Sequence, residues 1–257
     1  MKVYARKKKI FDEKCNSMYF NYNIATAAQG FHEMGFEIID YFFAYEIFDK
    51  YEKGDIALDG IQQVKYLLSK FNIETKDVGY PDVLKPFLGR RIWTDTINNI
   101  NSKPELWPVF VKSIDDKIIT GTLIETTKDL VGCGSCYKNE AIYCSEPVKF
   151  IYECRGFIYY DNLIDLRPYK GNYIHMNKIN TEIIKEAIDA FKTQPDRPAA
   201  CSLDFGVTDD ARTLLIEQNS AYSLGCYGLH STQYAKMISA CISQLSETED
   251  ECNFNIE

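Results

Sequence analysis

The sequence has 257 residues and a formal net charge of −8 at pH 7; 46% of its residues are apolar and 26% are charged. Such a chain can bury a substantial core in one large domain or two small ones, and its acidic charge disfavours general nucleic-acid binding, which needs a basic surface. No run of 18 apolar residues predicts a membrane span, and Arg6 and the lysines after it interrupt any apolar leader segment. We therefore expect a cytoplasmic protein that binds neither nucleic acid nor membrane.

The first 75 residues predict a small α/β unit with a parallel sheet, because strand-like and helix-like segments alternate along them. These segments are a strand at 2–5, a helix at 21–34 closed by Gly35, a strand at 36–43, a strand beginning at Ile56 and a helix at 60–68. The basic run at 6–9 follows the first strand. We expect it to form a solvent-exposed loop, with a nearby phosphate site as the alternative.

A domain boundary is predicted near residues 80–90, where GYPDVLKPFLGRR contains two prolines and two glycines that break regular structure. The predicted division is an α/β domain at 1–85 and a second domain at 86–257. Within the second domain we expect a small β-rich subdomain at about 108–150 and a larger C-terminal subdomain at about 151–246.

The sequence of the second domain predicts a β-rich middle followed by an α+β part. Its expected elements are strands at 109–112, 118–123, 140–143, 148–152 and 156–160, a turn at 128–131, helices at 180–192 and 231–246, and a hairpin at 200–218. Asn180 is a suitable N-cap for the first of these helices. We expect the acidic tail from Glu247 to be frayed.

The hairpin segment DFGVTDDARTLLIEQN places an acid at Asp204 and ends in Glu217 and Asn219. Residues two apart on a strand share a face, so Glu217 and Asn219 point the same way and Gln218 points oppositely. Pairing of the two strands brings Asp204 towards the same face. Three oxygen-bearing side chains favour a Mg²⁺ site, whereas a polar hairpin rim is the alternative that the spacing leaves open.

Further charged residues occur where apolar runs end. Lys112 closes VFVK and could meet an anion, and the loop at 115–121 could fold over phosphates. Glu153 and Arg155 share a face of one strand, and Arg167 suits recognition of phosphate or carboxylate. A surface lysine and an exposed Glu153–Arg155 ion pair are the alternatives.

The nine cysteines are scattered, and we expect mostly reduced thiols in or near the core. Cys133 and Cys136 have CxxC spacing, but no second ligand pair accompanies them, so zinc or redox chemistry is disfavoured. The sequence also lacks GxSxG, HExxH, Walker A and GxGxxG motifs, which excludes several large enzyme classes.

Taken in order, these features resemble the ATP-grasp superfamily. The string YPDVLKPFLGRRIW … PVFVKS … ITGTL … YECRGFI … LRPYKGNY … DFGV … LIEQNSAYSLGCYGL is similar, more particularly, to its R2K clade. The resemblance covers nearly the whole chain and implies an α/β and α+β protein, in which an ATP-grasp fold follows a pre-ATP-grasp α/β unit.

The resemblance also implies roles for individual residues. Those that would bind the nucleotide are Lys112 at the phosphates, Glu146 and Val148 at the adenine, Glu153 at the ribose, and Arg90 or Arg91 in place of an earlier phosphate-binding lysine. Asp204, Glu217 and Asn219 match the magnesium ligands, and Arg155 and Arg167 match the catalytic arginines that face the transferred phosphoryl group. Ser202 departs from the pattern, since many ATP-grasp ligases have arginine at that position.

The function implied by the resemblance is an ATP- and Mg²⁺-dependent ligase that joins a carboxylate to an amine, or to a thiol, through an acyl phosphate. Its substrates are not identified by the sequence, although a peptide or protein is one candidate. The segment at 221–229 is a candidate wall of the acceptor pocket. Two alternatives stay open, namely a non-catalytic ATP-binding module and an ATP-grasp kinase that phosphorylates a small molecule.

Overall fold

Three four-stranded β-sheets follow one another along the chain in the computed structural model, which describes residues 1–10, 17–75, 79–114, 119–133 and 138–254. The elements of the N-terminal part are β1 (Val3–Lys9), β2 (Ser17–Tyr19), α1 (Tyr22–Glu33), β3 (Ile38–Tyr41), short 3₁₀ turns at Ala44–Glu46 and Phe48–Lys50, β4 (Ile56–Leu58) and α2 (Ile61–Ser69). Strand β1 pairs in parallel with β3 and with β4, and antiparallel with β2. The predicted parallel sheet is therefore confirmed.

The prediction that residues 6–9 form a loop is wrong, because they continue β1. Their long side chains find partners along the sheet: Arg6 forms an ion pair with Asp59, and Lys7 and Lys9 lie over aromatic rings. A basic side chain that covers apolar surface with its stem and keeps its charge at the edge is compatible with a strand.

Helix α1 begins and ends as its sequence predicts. The Asn21 side chain accepts a hydrogen bond from the backbone N–H of Ile24, and Gly35 takes the left-handed conformation, with φ of 90°, just after the helix. Asparagine satisfies free N–H groups at a helix start, and glycine adopts positive φ without strain at its end.

The middle sheet is antiparallel, with strand order β5-β8-β6-β7. After a 3₁₀ segment at Asp82–Phe87, its elements are β5 (Ile92–Thr96), α3 (Ile97–Ser102), a 3₁₀ turn at Pro104–Leu106, β6 (Val109–Ser113), β7 (Thr122–Ile124), a 3₁₀ turn at Thr127–Leu130 and β8 (Ala141–Ser145). Strand β5 was not predicted, and it lies before the expected subdomain start at about residue 108.

The C-terminal sheet is also antiparallel, with strand order β10-β9-β11-β12. Its part of the chain comprises β9 (Phe150–Tyr159), β10 (Asn162–Gly171), a 3₁₀ segment at Tyr173–Lys178, α4 (Thr181–Phe191), β11 (Ala200–Thr208), β12 (Thr213–Ser220), a 3₁₀ turn at Ala221–Ser223 and α5 (Ser231–Ser246). The prediction of two strands at 148–152 and 156–160 is wrong, because β9 is continuous. Strand β10 was not predicted, whereas the hairpin of β11 and β12 and both helices are confirmed.

The two faces of the C-terminal sheet are covered differently. One face packs against α4, with Leu203 and Phe205 in that core. On the opposite face Phe157 and Ala200 share a core with α1, α5 and the N-terminal sheet. Further along this second face the apolar residues give way to charged ones, and the candidate site lies there.

The described part of the tail is packed rather than frayed, so that prediction is wrong. The N-terminal ammonium lies 2.6 Å from the Glu251 carboxylate, Ser239 donates to Asp250 at 2.5 Å, and Cys252 is fully buried. Among the described residues, no helix is long and apolar enough to cross a bilayer.

The described cysteines are mostly buried thiols, as expected. Of the seven, only Cys133 is partly exposed. Burial raises the pKa of Cys154 to about 12 and that of Cys252 to about 11, so these thiols stay protonated. Cys136, the second member of the CxxC pair, lies outside the described residues.

Candidate functional site

Four charged residues form a row across the C-terminal sheet. The register aligns Arg167 with Arg155, Arg155 with Asp204, and Asp204 with Glu217. Directly opposed residues of antiparallel strands share a face. The four strands therefore present two cations and two anions side by side on the face that α5 leaves open.

Arg155 and Asp204 form a buried, bidentate ion pair. Arg155 donates from Nε and Nη2 to the two oxygens of Asp204 at 2.8 and 2.7 Å, and the two residues are 7% and 1% exposed. Burial disfavours the arginine charge, but the Asp204 carboxylate outweighs it and raises the pKa of Arg155. A planar guanidinium that meets both carboxylate oxygens is the strongest geometry for such a pair.

Glu217 connects this row to the middle sheet. Its Oε2 accepts a hydrogen bond from Lys112 Nζ on β6 at 2.9 Å, and its Oε1 accepts one from Asn219 Nδ2 at 2.9 Å. Asn219 Nδ2 also lies 3.5 Å from Asp204 Oδ2. Residues that are more than 100 positions apart in the chain thus meet between the two sheets.

Lys112 and Glu217 each stabilise the charged form of the other. Burial lowers the pKa of Lys112, but the Glu217 carboxylate outweighs that effect, so the pKa lies above its ordinary value. Burial raises the pKa of Glu217, but Lys112 and Asn219 outweigh that effect and hold it below 4.5. The Lys112 ammonium also lies 4.8 Å from the centre of the Tyr80 ring. Both groups are therefore charged near neutral pH.

Two tyrosines enclose Arg155: Tyr227, which belongs to the predicted segment at 221–229, and Tyr169, which the sequence reasoning missed. The rings of Tyr169 on β10 and Tyr227 after β12 stack with centroids 5.2 Å apart, and the Arg155 guanidinium lies 4.9 Å from the Tyr227 ring. Burial, together with the carboxylates of Asp204 and Glu153, raises the pKa of Tyr169. The only sequence signal for this wall was the aromatic character of the segment at 221–229.

Glu153 lies two residues before Arg155 on the same face and is 8% exposed. It accepts a hydrogen bond from Lys170 Nζ at 2.7 Å, whereas Arg155 pairs with Asp204. The alternative of an exposed Glu153–Arg155 ion pair is therefore wrong. Lys170 is a further residue that the sequence reasoning missed.

Glu146 and Val148 lie in the segment that connects β8 of the middle sheet to β9 of the C-terminal sheet. The Glu146 carboxylate accepts a hydrogen bond from the backbone N–H of Arg91 at 2.9 Å, and the Glu146 N–H donates to the Arg91 carbonyl. Glu146 is exposed and Val148 is half-buried. This placement fits a hinge between the two sheets.

The remaining predicted residues have separate environments. Arg167 Nε donates to Asp165 Oδ2 at 2.7 Å, and its side chain is 41% exposed. The Arg91 guanidinium lies over the Trp93 ring at 4.4 Å. The Arg90 guanidinium donates to the backbone carbonyls of Leu88, Leu215 and Ile216.

The structure thus brings Lys112, Arg155, Asp204, Glu217 and Asn219 into one connected cluster, which we call the ion-pair cluster. Asp204, Glu217 and Asn219 offer only oxygen and amide donors, which suits Mg²⁺ better than a softer metal. The described residues contain no group of three or more His, Cys, Asp or Glu arranged for a metal. A cation here would therefore rest on two carboxylates and one carboxamide.

The sequence profile of the family described as ATP-grasp domain, R2K clade family 2, matches residues 87–237, more than half of the chain. The chain belongs to the R2K clade of ATP-grasp proteins. The comparison with curated protein sequences gave no match.

This ATP-grasp chain is similar to solved structures of ligases and synthetases. It covers 98% of D-alanine–D-alanine ligase from Bacillus anthracis complexed with ATP, with 96% of its own length, a TM-score of 0.51 and 12% identity. It covers 74% of N5-carboxyaminoimidazole synthetase from Staphylococcus aureus complexed with ADP, with 87% of its own length, a TM-score of 0.53 and 13% identity. At these identities the likeness shows a shared fold, and the predicted ATP-grasp fold is confirmed.

Proposed function

We propose that this ATP-grasp chain is a ligase that uses ATP and Mg²⁺ to join a carboxylate to an amine through an acyl phosphate. The observation that carries the proposal is the ion-pair cluster, in which a lysine of one sheet pairs with Glu217 of the other, and Asn219 links Glu217 to the Arg155–Asp204 pair. Phosphoryl transfer asks a protein mainly for positioning and charge stabilisation. The cluster offers both at one place.

The nucleotide is proposed to lie between the middle and C-terminal sheets. Lys112 would contact its phosphates, the backbone at 146–148 would face the adenine, and the Glu153 carboxylate would accept hydrogen bonds from the ribose hydroxyls. The position of Lys112 beside Glu217 supports this, since the ammonium is already held at one of the two carboxylates that are proposed to bind magnesium.

Asp204, Glu217 and Asn219 are proposed to hold Mg²⁺. When bound, the ion would neutralise phosphate charge and bridge the protein to the nucleotide. In this structure Arg155 pairs with Asp204, and Lys112 pairs with Glu217. Each carboxylate oxygen has further lone pairs, so these residues can share the acids with an ion while facing phosphate oxygens.

The proposed reaction has two steps. In the first, a substrate carboxylate oxygen attacks the γ-phosphorus of ATP, the bond to the β-phosphate oxygen breaks, and ADP leaves. In the second, the amine nitrogen attacks the acyl carbon, the carbon–oxygen bond to phosphate breaks, and inorganic phosphate and the amine proton are released. Arg155 and Arg167 would stabilise the charge on the transferred phosphoryl group.

The acceptor is proposed to bind between the ion-pair cluster and the N-terminal unit, against the segment at 221–229. The Gly225 carbonyl accepts a hydrogen bond from Arg155 Nη1 at 3.4 Å, and the Cys226 N–H donates to Asn23 Oδ1 at 3.1 Å. A cavity of about 60 Å³ lies beside this segment, with Asp59 and Ser223 in its lining. A peptide or protein is the proposed acceptor class, and a thiol acceptor would follow the same two steps.

The test is incubation of the purified chain with Mg²⁺–ATP, a panel of amino acids and short peptides, and hydroxylamine. An acyl phosphate reacts with hydroxylamine to give a hydroxamate. When the true carboxylate substrate is present, the amounts of ADP and hydroxamate should therefore rise in parallel. Glu217→Ala is the control, and removal of such a charge contact should lower ADP release by about 10²–10³-fold.

Other outcomes would overturn the proposal. ADP release with a stable phosphorylated product and no hydroxamate would identify a kinase. ATP binding without ADP release across the panel would indicate a non-catalytic nucleotide-binding module. Near wild-type ADP release by Glu217→Ala would show that Glu217 does not have the proposed role.

A further inference from the structure

Strand β12 contains a β-bulge immediately before Glu217. The register with β11 pairs Leu215 with Phe205 and Glu217 with Asp204, so Ile216 is an extra residue without a partner position. A bulge of this kind shifts the alternation of side chains by one residue. It therefore decides which face of the sheet Glu217 occupies.

Without the bulge, Glu217 would point into the apolar core. Leu215 is 1% exposed and packs in the core beneath α4. Residues two apart on a regular strand share a face, so an unbulged strand would place Glu217 beside Leu215. The extra residue instead sends Leu215 to the core and Glu217 to the ion-pair cluster, where Lys112 and Asn219 meet it.

Arg90 holds this bulge from a distant part of the chain. Its Nη1 donates to the carbonyls of Leu88 and Leu215 at 2.9 Å, and its Nη2 donates to the Ile216 carbonyl at 2.8 Å. Two of the three acceptors belong to the bulged segment. The neighbouring Gly89 has φ of 59°, and a Cβ there would lie 2.5 Å from the Leu214 side chain, so glycine allows this close approach.

We infer that Arg90 is a positioning residue for Glu217 rather than a phosphate-binding residue, an inference that rests on the proposed function. Its guanidinium is directed at carbonyl oxygens, and the bonds it makes fix the backbone on which Glu217 stands. Arg91, which is exposed, is left as the candidate for the phosphate contact that the sequence assigned to one of the two arginines.

The test compares nucleotide affinity with and without Mg²⁺, by calorimetry with a non-hydrolysable ATP analogue. We call the affinity with Mg²⁺ divided by the affinity without Mg²⁺ the magnesium gain. Arg90→Met, which keeps the stem but removes the donors, should lower the magnesium gain tenfold or more and change the Mg²⁺-free affinity less than twofold. Arg90→Lys should fall between wild type and Arg90→Met, because an ammonium keeps the charge but donates from a single nitrogen, whereas Arg90 donates from two separate nitrogens of a planar group.

Arg197→Met is the matched control for a general loss of stability. Arg197 also binds a backbone carbonyl, that of Gln194, and pairs with Asp161 at the far end of the sheet. The Arg197→Met variant should have a lower thermal unfolding midpoint than wild type and the same magnesium gain as wild type. If Arg90→Met does not fold, Arg90→Lys decides the question by its magnesium gain.

Two results would overturn the inference. An equal loss of affinity with and without Mg²⁺ in Arg90→Met would assign Arg90 to the phosphates. An unchanged magnesium gain in the folded Arg90 variants would show that the bulge does not depend on the arginine.

A wild-type protein without any magnesium gain would count against the proposed function, and a metal-independent measurement then tests Arg90 alone. In a double-mutant cycle on the free energy of unfolding, Lys112→Met should cost less in the Arg90→Met background than in wild type, because the Lys112–Glu217 pair needs the bulge. Equal costs in the two backgrounds would overturn the positioning role.

Discussion

Arg155 and Asp204 stand opposite each other on adjacent strands, and each oxygen of the Asp204 carboxylate accepts one N–H of the same guanidinium. The pair is almost entirely enclosed by protein. It is therefore part of the interior of the sheet as well as of the candidate site, and a change in either residue should affect stability and function together.

Arg155→Met should destabilise the protein by about 3–5 kcal/mol, because it leaves the Asp204 carboxylate buried without its partner. Urea denaturation measures the loss. Arg155→Met combined with Asp204→Leu should recover much of it, since no unpaired charge then remains. Equal stability of Arg155→Met and wild type would contradict this account of the pair.

Lys112→Met and Glu217→Gln should affect nucleotide binding differently. Lys112 is proposed to touch phosphate directly, so its loss should weaken ATP binding about tenfold or more with and without Mg²⁺, which corresponds to about 1.4 kcal/mol. Glu217→Gln should weaken binding only when Mg²⁺ is present. Titration calorimetry under both conditions measures this, and the same pattern for both variants would refute the separate roles.

Gly30→Ala should destabilise the protein although alanine is the better helix former. A Cβ on Gly30 would lie 2.0 Å from the Ser231 carbonyl oxygen, at the contact between α1 and α5. Alanine normally gains about 1 kcal/mol over glycine within a helix, so a net loss measures the forced separation of the two helices. Thermal unfolding gives the comparison, with Gln29→Ala on the exposed side of α1 as the control; a higher midpoint for Gly30→Ala would contradict the close packing.

Asp161→Asn should show a pH-dependent loss of stability. Hydrogen bonds from Arg197 at 2.6 Å hold the pKa of Asp161 below 3.8 in the folded protein. A carboxyl group whose pKa is lowered by folding stabilises the protein above its unfolded pKa, and this contribution disappears as the pH falls through the folded pKa.

The stability difference between wild type and Asp161→Asn should therefore be constant above about pH 5. It should shrink on acidification below pH 4. Denaturant midpoints at a series of pH values measure it. A difference that grows towards low pH would have the wrong sign for this pair.

Local features of the fold followed directly from the sequence. Asn180 caps the helix that it was predicted to cap, because a side-chain oxygen next to free N–H groups acts within one turn. Glu217 and Asn219 share a face because side chains alternate between the two faces of a strand, a local property that depends only on their spacing of two residues.

The bulge at Ile216 was missed, although the sequence carries a signal for it. Leu215 and Glu217 are two apart, yet one is apolar and the other is an acid. A regular strand would give both the same environment, so the conflict could have indicated an extra residue. The prediction of a loop at 6–9 was wrong because neighbouring aromatic rings accommodate the basic side chains of β1.

By itself, the sequence determined where most of the helices and some of the strands form, which acids share a face and which family the order of motifs resembles. These properties depend on residues close together in the chain. Only the tertiary structure decided that Lys112 meets Glu217, that Tyr169 and Tyr227 enclose Arg155, and that Arg90 turns to the backbone of β12. Such contacts join residues far apart in sequence, and they depend on sheet register and packing, which no single segment specifies.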